Sequence, residues 1–408
     1  MDGFAYPNEA QIGWSLIVVL YPFTTGLIAG VFIVSALYYV FNVQSLKPLA
    51  RFSLVTALAF VIVAPLPLAI HLGRPDRALE IFLTPHFTSA MAMFGYIWIF
   101  YMGILMIQTW LVFRKDIVTY ALTGTGLRRR IYSVMALGVY DLSAKSLAID
   151  RRLVKLSGAI GIPTAWILFH GYSGFIFGSV KANPWWSTPL MPIIFLFSAV
   201  VSGMALLIVL YVAAMGVQRK PINHDALRSL AGWLTGFLAV NVTIEVLEVV
   251  TMMYMREESW ETIRSLITER LAVSYLGIQL LLGSAVPLVV LGVLGVLGVI
   301  TIFQFRQKVS TLLASAAAVL TLVGVFAMRW NVVIGGQILS KSLRGFLSYT
   351  PEITGREGIL VALFIMALPF ELFALITYFI PPWREVSVQS DGIQLELNMV
   401  KPDFPRPS

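Results

Sequence analysis

Nine apolar runs divide the sequence, and their length constrains the fold more than any other feature. A helix of about 20 apolar residues spans the ~30 Å hydrocarbon core of a bilayer. Because lipid offers no hydrogen bonds, the backbone of such a run has to bond to itself, as a helix does. The sequence therefore predicts an all-α integral membrane protein, with runs at residues 14–41, 51–71, 88–113, 153–179, 190–217, 229–254, 271–305, 309–330 and 357–380.

Two segments leave the number of spans open between nine and ten. The seventh run is too long for one perpendicular crossing, and Pro287 is expected to kink it. Residues 131–149 are an alternative tenth span, but they contain Asp141 and Lys145 and have arginines on both sides. Those charges favour an amphipathic helix on the membrane surface.

The distribution of Lys and Arg predicts the orientation of the chain. Cytoplasmic loops of membrane proteins carry an excess of these residues. With the N-terminus outside the cytoplasm, most of the 29 Lys and Arg residues fall in inner loops, above all between residues 114 and 155. The first nine residues contain neither Lys nor Arg, so they do not resemble a secretory signal peptide. The net charge of +8 follows from membrane topology, and no nucleic-acid partner is expected.

The chain contains no Cys. This excludes a thiolate-bound iron–sulfur cluster, covalent haem attachment and a disulfide within the chain. We expect no metal site. Any redox chemistry therefore needs a non-covalent cofactor, a diffusible carrier or a partner protein.

The sixth run carries three polar residues where hydrocarbon is expected. Asn241, Glu245 and Glu248 are spaced four and three residues apart, so they share one face of a helix. Ionisable groups at membrane depth are costly and usually have a function or a partner. Two carboxyls about one turn apart can pass protons, because burial favours their neutral form. The alternative is a structural pair neutralised by an Arg or His on a neighbouring helix.

The four His are a second source of candidates. His71 ends the second run, His86 lies at the start of the third, His170 lies in the outer half of the fourth, and His224 is in an inner loop. His170 is a candidate for handling a proton or binding a quinone carbonyl. A single b-type haem held by His71 and His170 stays an alternative, as does a purely structural role for each His.

A charged turn follows the second run directly. Residues 71–77 read His-Leu-Gly-Arg-Pro-Asp-Arg, and Glu80 comes soon after. Gly and Pro favour a tight turn, which places the His71 imidazole near Arg74, Asp76 and Glu80 at the outer interface. These groups either pair with one another or bind a polar head group whose tail lies in the bilayer. A quinone is such a molecule.

Together these features resemble the NrfD-like family of polysulfide-reductase membrane subunits, and within it most of all the menaquinone reductase complexes of sulfate-reducing bacteria. The Gly-Arg-Pro turn is the most specific shared feature. Asp76 stands where many relatives have Glu, which keeps the carboxylate. The residues that carry the resemblance are 71–77, His170 with the glycines after it, 184–186, 329–331 and 335–337.

The resemblance implies two four-helix bundles and a peripheral helix in the bacterial inner membrane, with the N-terminus in the periplasm. The expected parts are a first bundle at 1–180 with an inner amphipathic loop at 114–152, a second bundle at 181–356 with a long outer loop at 331–356, a peripheral helix at 357–383 and a cytoplasmic tail at 384–408.

The resemblance also implies the function of a quinone-binding subunit of a respiratory oxidoreductase complex, inactive alone. Electrons are expected from a periplasmic iron–sulfur subunit, beside a multihaem cytochrome c, a molybdopterin-type subunit or both. The bound substrate is expected to be menaquinone, reduced with protons that arrive through buried carboxylates. No haem or iron–sulfur cluster is expected within this chain.

Seven residues are expected to carry this chemistry, by holding the quinone ring at the outer interface and by bringing protons to it. The catalytic candidates are His71, Asp76, Glu245 and Glu248, and the quinone-binding candidates are His71, Arg74, Asp76, Glu80 and His170.

Two other functions stay open. A secondary transporter could bind a coupling cation at the acidic sixth run, with Pro65, Pro67 and Pro163 breaking helices. A b-type cytochrome anchor is the other. Solute uptake by the isolated chain would favour the first, and a haem absorption spectrum would favour the second.

Overall fold

The structure is a computed structural model that describes residues 3–4, 12–255, 259–299 and 307–384. The prediction of an all-α integral membrane protein with nine spans is confirmed, and the segment 131–149 forms no tenth span. Within the described residues, the helical spans long and apolar enough to cross a membrane are Leu16–Tyr39, Gln44–His71, Ala92–Thr123, Ala144–Gly178, Met191–Val217, His224–Met255, Ala272–Val296, Gln307–Ile338 and Ile359–Phe379.

Five spans are single α-helices, and four contain breaks or π-helical turns. The α-helices are α1 (Leu16–Tyr39), α2 (Lys47–Val63), α3 (Leu66–His71), α4 (Glu80–Leu83), α5 (Ala90–Thr123), α6 (Gly126–Met135), α7 (Ala144–Pro163), α8 (Tyr172–Gly178), α9 (Met191–Val217), α10 (His224–Met255), α11 (Trp260–Ser265), α12 (Val286–Val299), α13 (Gln307–Trp330), α14 (Gly336–Ile338) and α15 (Ile359–Phe379). The π-helical segments are Thr164–Gly171, Leu266–Arg270, Ala272–Ala285 and Asn331–Gly335. Two short strands, β1 (Gly3–Phe4) and β2 (Arg344–Gly345), pair antiparallel.

Proline marks several of the breaks, because it lacks the N–H that continues an α-helix. Pro65 lies between α2 and α3, and Pro163 ends α7 just before the π-helical segment Thr164–Gly171. In the long seventh span, the π-helical segment ends at Ala285 and α12 begins at Val286, next to Pro287. The irregularity predicted for this run therefore falls beside its proline.

The first helix, α1, lies at the centre of the molecule and is buried along nearly its whole length. It packs against α2 on one side and α9 on the other. Gly30 and Gly203 face each other where α1 crosses α9, and a Cβ on Gly30 would meet the backbone carbonyl of Ala199. Small residues allow this close approach, as in other membrane helix pairs. The spans of the two predicted bundles thus meet along α1 and α9, and the division into two bundles stays a prediction.

We call the end of the bundle where α1 finishes the Arg51 end. At this end, buried ion pairs allow helices to continue beyond their apolar runs. Arg51 pairs with Asp116, and Arg114 pairs with Asp150 at 2.5 Å. These pairs let α5 and α7 continue into the predicted amphipathic loop 114–152. The loop is therefore shorter than predicted, and only α6 and its flanking turns lie between the two helices.

The opposite end, which we call the Trp14 end, holds the start of α1 and the connections after α3, α8 and α13. The Trp14 backbone N–H donates to Gln337 Oε1 at 2.8 Å, and the Leu16 N–H donates to the Tyr349 hydroxyl at 2.8 Å. The long loop predicted at 331–356 begins instead after Ile338, because the π-helical segment and α14 continue the eighth span. The predicted tail lies outside the described residues from position 385 onward.

Candidate functional site

The buried carboxylate of Glu245 is held by a chain of amide side chains. Its Oε1 accepts a hydrogen bond from Asn241 Nδ2 at 2.8 Å, and its Oε2 accepts one from Gln279 Nε2 at 2.9 Å. Gln279 Oε1 in turn accepts from Asn331 Nδ2 at 2.8 Å. Ser274 Oγ completes the chain by donating to Asn331 Oδ1 at 2.6 Å. Because both carboxylate oxygens are bonded, the side chain is fixed between α10, the seventh span and the end of the eighth.

Glu248 lies one turn further along α10 and is less completely bonded. Its Oε1 is buried and has no hydrogen-bond partner among the described residues. Thr188 is the side chain that hydrogen-bonds to Glu248. A buried oxygen without a partner is costly, so a water molecule or a ligand group is expected to bond it.

Both carboxylates line one cavity, which we call the carboxylate cavity. Its volume is about 30 Å³, enough for water molecules, which require at least ~10–15 Å³. The walls combine the two acids and their amide partners with aromatic and flexible apolar side chains. The lining residues are Trp185, Met191, Ile194, Glu245, Glu248, Val249, Met252, Tyr275, Gln279, Met328, Asn331 and Val332.

A π-helical turn and Trp185 form part of the wall of this cavity, and Trp186 bonds to the same turn. The segment Asn331–Gly335 continues α13 with wider turns, which leaves carbonyl groups free to bond elsewhere. Trp185 Nε1 donates to the Asn331 carbonyl at 2.9 Å, and Trp186 Nε1 donates to the Val332 carbonyl at 2.6 Å. Both indoles are buried, at 8 % and 6 % exposure, so they pack inside the protein and do not face lipid.

A second buried cluster surrounds Arg329, and we call it the Arg329 cluster. Arg329 Nη2 donates to His170 Nε2 at 3.0 Å and to Ser198 Oγ at 2.7 Å. Its guanidinium carbon lies 4.0 Å from the centre of the Phe195 ring, a cation–π contact. Since Arg can only donate, His170 Nε2 accepts, and His170 Nδ1 carries the proton and donates to Thr25 Oγ1 at 3.1 Å.

This bonding pattern fixes which ring nitrogen of His170 carries the proton. Both ring nitrogens are occupied, so in this conformation His170 offers no free nitrogen to a haem iron.

Arg329 has no carboxylate within ion-pair distance among the described residues, and Glu245 is the acid that interacts with it electrostatically. The charges of Arg329 and Glu245 thus interact, although no described hydrogen bond joins the Arg329 cluster to the amide network around Glu245.

His71 lies at the Trp14 end and pairs with a residue close to the ninth span. Its Nδ1 is 3.1 Å from Glu357 Oε1, and both side chains are partly exposed. Arg356 donates to the backbone carbonyl of Leu72. The loop before α15 is therefore fastened to the turn after α3.

The charged residues of that turn lie at the surface and pair locally. Arg74 Nη2 is 2.9 Å from Asp76 Oδ2, and Arg77 Nε is 2.7 Å from Glu80 Oε1. The Arg74 guanidinium lowers the pKa of Asp76, and the Arg77 guanidinium lowers the pKa of Glu80. At neutral pH both acids are therefore ionised, and in this conformation neither carries a proton.

The structure thus separates the predicted site residues into three groups. Glu245 and Glu248 share the carboxylate cavity, His170 belongs to the Arg329 cluster, and residues 71–80 lie at the surface of the Trp14 end. The sequence pattern places Arg329 at the outer edge of the eighth run. It is fully buried because the apolar sequence after it continues the span by two more turns. That continuation is the signal by which Arg329 and Asn331 can be recognised as buried.

Comparison with known proteins agrees with these features. A family model described as polysulphide reductase, NrfD, matches residues 6–340. A selenate reductase subunit of Mesobacillus selenatarsenatis is 27 % identical over 374 residues, which cover 86 % of this chain and 84 % of that protein. Protein NrfD of Escherichia coli is 25 % identical over 218 residues, covering 52 % of this chain and 62 % of that protein.

A third relative, the Hdr-like menaquinol oxidoreductase integral membrane subunit of Archaeoglobus fulgidus, is 22 % identical over 388 residues. The match covers 90 % of this chain and 86 % of that protein. The resemblance predicted from the sequence is confirmed, and the chain belongs to the NrfD polysulphide reductase family of multi-pass membrane proteins.

Proposed function

We propose that this chain is the quinone-binding membrane subunit of a respiratory oxidoreductase complex in the bacterial inner membrane. The observation that carries the proposal is the carboxylate cavity, where two acids at membrane depth line one water-sized space. Relatives named as a selenate reductase subunit and as a membrane subunit of a menaquinol oxidoreductase support it. The substrate proposed is menaquinone, and the direction proposed is its reduction.

Reduction of a quinone to a quinol consumes two electrons and two protons. Because the chain has no Cys, it cannot hold a thiolate-bound cluster, and we assign electron delivery to an iron–sulfur partner. We place that partner on the periplasmic side, together with a multihaem cytochrome c, a molybdopterin-type subunit or both. The Trp14 end is the side assigned to the periplasm, as the Lys and Arg distribution predicts.

The protons are assigned to the two carboxyls. Glu248 has one buried oxygen to which no described residue bonds, so we assign to it the bonding and protonation of a quinone oxygen. Glu245 lies one turn away and is held by Asn241 and Gln279, so it is placed to pass a proton to Glu248 through water in the cavity. His170, hydrogen-bonded to Arg329, is assigned a supporting role in the electrostatics of this region.

The cavity admits water in the present conformation, and a quinone ring needs more room. Met191, Met252 and Met328 form part of its wall. Methionine side chains are unbranched and flexible, so they can rearrange around an apolar ring at low cost. We propose that these side chains move aside when the quinone head group enters, while its isoprenoid tail stays in lipid.

Residues 71–80 are the second place proposed for the quinone ring. His71 is partly buried, and its contact with Glu357 holds it at the edge of the bundle. In this arrangement His71 and Asp76 bond the ring, with Arg74 and Glu80 beside them. The surface pairing of Arg74 with Asp76 favours the carboxylate cavity over this place.

The test of the function is quinone reduction by the intact complex after single substitutions. Glu248→Gln and Glu245→Gln remove a titratable proton and keep the size of the side chain. We expect a rate loss of about 10²-fold, the usual contribution of general acid–base catalysis. Glu261→Gln, an exposed acid paired with Arg264, is the matched control and is expected to keep the full rate.

The same assay decides between the two places for the ring. His71→Ala and Asp76→Asn are expected to retain most of the activity if the ring binds in the carboxylate cavity. A large loss in these variants with normal activity in Glu248→Gln would move the site to residues 71–80. Normal activity in all four variants would contradict the proposed function.

A further inference from the structure

The ninth span, α15, lies at the edge of the molecule and uses only one of its faces for packing. It contacts α2 most extensively, and α1 and α3 to a smaller extent. The residues that it buries there share one side of the helix. They are Ala362, Ile365, Pro369, Phe373 and Thr377.

The opposite side of α15 carries an exposed stripe with the three- and four-residue spacing of a helix-packing surface. Its large apolar members include Phe370 near the middle, and the two alanines lie about one turn before and one turn after that position. The stripe consists of Leu360, Leu363, Phe364, Ala367, Phe370, Glu371, Ala374, Leu375 and Tyr378. Repeats of this spacing allow a second helix to pack along the first.

Glu371 is the feature of this stripe that lipid does not explain. It is exposed, and it is the thirteenth of the 21 residues of α15. With a rise of 1.5 Å per residue it lies ~18 Å from Ile359 and ~12 Å from Phe379, in the middle third of the span. A carboxylate facing hydrocarbon at this depth is costly, and its short side chain does not reach the interface.

No described residue of this chain provides a polar partner for the Glu371 carboxylate. It makes no hydrogen bond or ion pair within the part of the chain that the structure describes. A nearby cation, Arg128, lies over the ring of Tyr378 at 5.7 Å. Tyr378 is two helical turns from Glu371, ~10 Å along the axis. The partner of this carboxylate therefore has to come from outside the part of the chain that the structure describes.

The residues on either side of Glu371 leave room for such a partner. Ala367 is four residues before it and Ala374 three residues after it, so both lie on the same face. Small residues at a membrane helix surface permit close backbone approach, which a polar interaction in the middle of the span requires. The other large apolar residues of the stripe lie towards its two ends, and the Phe370 ring beside Glu371 packs against Phe60 of α2 with the ring centres 5.4 Å apart.

We propose that the exposed stripe of α15 binds a transmembrane helix of a partner subunit, and that this helix presents a Lys or Arg side chain to Glu371. An acid in hydrocarbon is best compensated by a cation, which forms a charged hydrogen bond in a medium of low dielectric. A second copy of this chain packed symmetrically through α15 does not meet the requirement, because it would place a second carboxylate opposite the first. The stripe thus adds an intramembrane contact that is separate from the proposed quinone site.

The absence of Cys allows a direct test by site-specific cross-linking in native membranes. Single variants Ala367→Cys and Ala374→Cys are labelled with a maleimide that carries a photoreactive diazirine, in the assembled complex. After illumination, mass spectrometry identifies the attached peptide. Leu312→Cys, an exposed apolar position on α13, is the matched control and is expected to react with lipid alone.

The expected product from both α15 positions is a membrane-spanning peptide of another subunit that contains Lys or Arg at the depth of the label. Three outcomes overturn the proposal: adducts with lipid only, adducts with a second copy of this chain, or a partner helix that lacks a basic residue within one turn of the attachment site.

Substitutions of Glu371 supply an independent readout. Glu371→Lys places two cations together and Glu371→Leu leaves the partner's cation unpaired, so each is expected to lower retention of the cross-linked subunit about tenfold or more. Glu371→Gln keeps one polar bond and is expected to show an intermediate loss. Thermal unfolding of the isolated chain shows that each variant is folded. Unchanged retention in Glu371→Lys and Glu371→Leu, with folded protein, overturns the proposal.

Discussion

Arg329 is the residue with the most demanding environment in the molecule. It is fully buried at membrane depth, and its bonds go to a neutral imidazole, a hydroxyl, a thioether and an aromatic face. A cation in such a place depends on each of these contacts, because water cannot replace them. The energetic role of the Arg329 cluster can therefore be measured one contact at a time.

Ser198 offers the cleanest test of this dependence. We predict that Ser198→Ala lowers the free energy of unfolding by about 1.5–3 kcal/mol, since it removes a hydrogen bond to a charged group. Ser202→Ala is the matched control, because Ser202 is equally buried on the same helix and bonds only to its own helix at the Ala199 carbonyl. We expect a loss of less than about 1 kcal/mol there.

Reversible unfolding in detergent with increasing amounts of denaturing surfactant measures both values. Equal effects of the two substitutions would contradict the importance assigned to the Arg329 contact.

At the scale of single residues, the sequence predicts which residues share a helix face, but it does not predict their hydrogen-bond partners on other helices. The spacing of Asn241, Glu245 and Glu248 correctly indicates that they share a helix face. The partners Gln279 and Asn331 come from spans 34 and 86 residues further along the chain, so their position depends on packing that spacing along one helix does not contain. The apolar pattern places His170 within a span, whereas its bond to Arg329 depends on where the eighth span ends.

Prediction of the helices from the sequence has the same limit, which appears at the helix ends. Apolar length predicts the nine spans because it reports the thickness of the bilayer. It does not predict how far α5 and α7 continue outside the apolar runs, since the pairing of Arg114 with Asp150 satisfies charges that a hydropathy pattern treats as stops. Hydropathy likewise does not predict the π-helical continuation after Trp330, because two distant tryptophans satisfy its carbonyls.

The contact between α1 and α9 gives a prediction about how these elements pack. A methyl group at Gly30 would collide with the backbone of α9, so we expect Gly30→Ala to destabilise the protein by about 1–3 kcal/mol, as overpacking does elsewhere. Gly236→Ala on α10 is the control, because no described atom beyond its chain neighbours and its own helix backbone lies within 4 Å of its Cβ position.

The control substitution is expected to leave stability unchanged or raise it by up to about 1 kcal/mol, owing to the higher helix propensity of Ala. Thermal unfolding in one detergent compares the two variants. A neutral Gly30→Ala would show that the helices are not in close contact at this point.

For the whole molecule, the distribution of charge predicts which end faces which compartment. The Trp14 end carries the surface group 71–80, and the Arg51 end carries the basic loops around α6. Because the chain lacks Cys, single cysteines introduced at exposed positions report their location without background. Ile353 lies at the Trp14 end and Leu127 at the Arg51 end, and both are strongly exposed.

We predict that a membrane-impermeant maleimide labels Ile353→Cys in spheroplasts and labels Leu127→Cys only after the membrane is opened. This result follows if the basic loops lie in the cytoplasm. The reverse pattern would invert the topology and move the electron-donating partner to the other side.

Photoaffinity labelling of the intact complex with an azido-menaquinone, followed by peptide mapping, locates the quinone in the unsubstituted protein. We predict label near the carboxylate cavity, on α10 between Glu245 and Met252 or between Met328 and Val332, and loss of that label with excess menaquinone. Label confined to residues 71–80, or label that excess menaquinone does not displace, would contradict a quinone site at the two buried carboxyls.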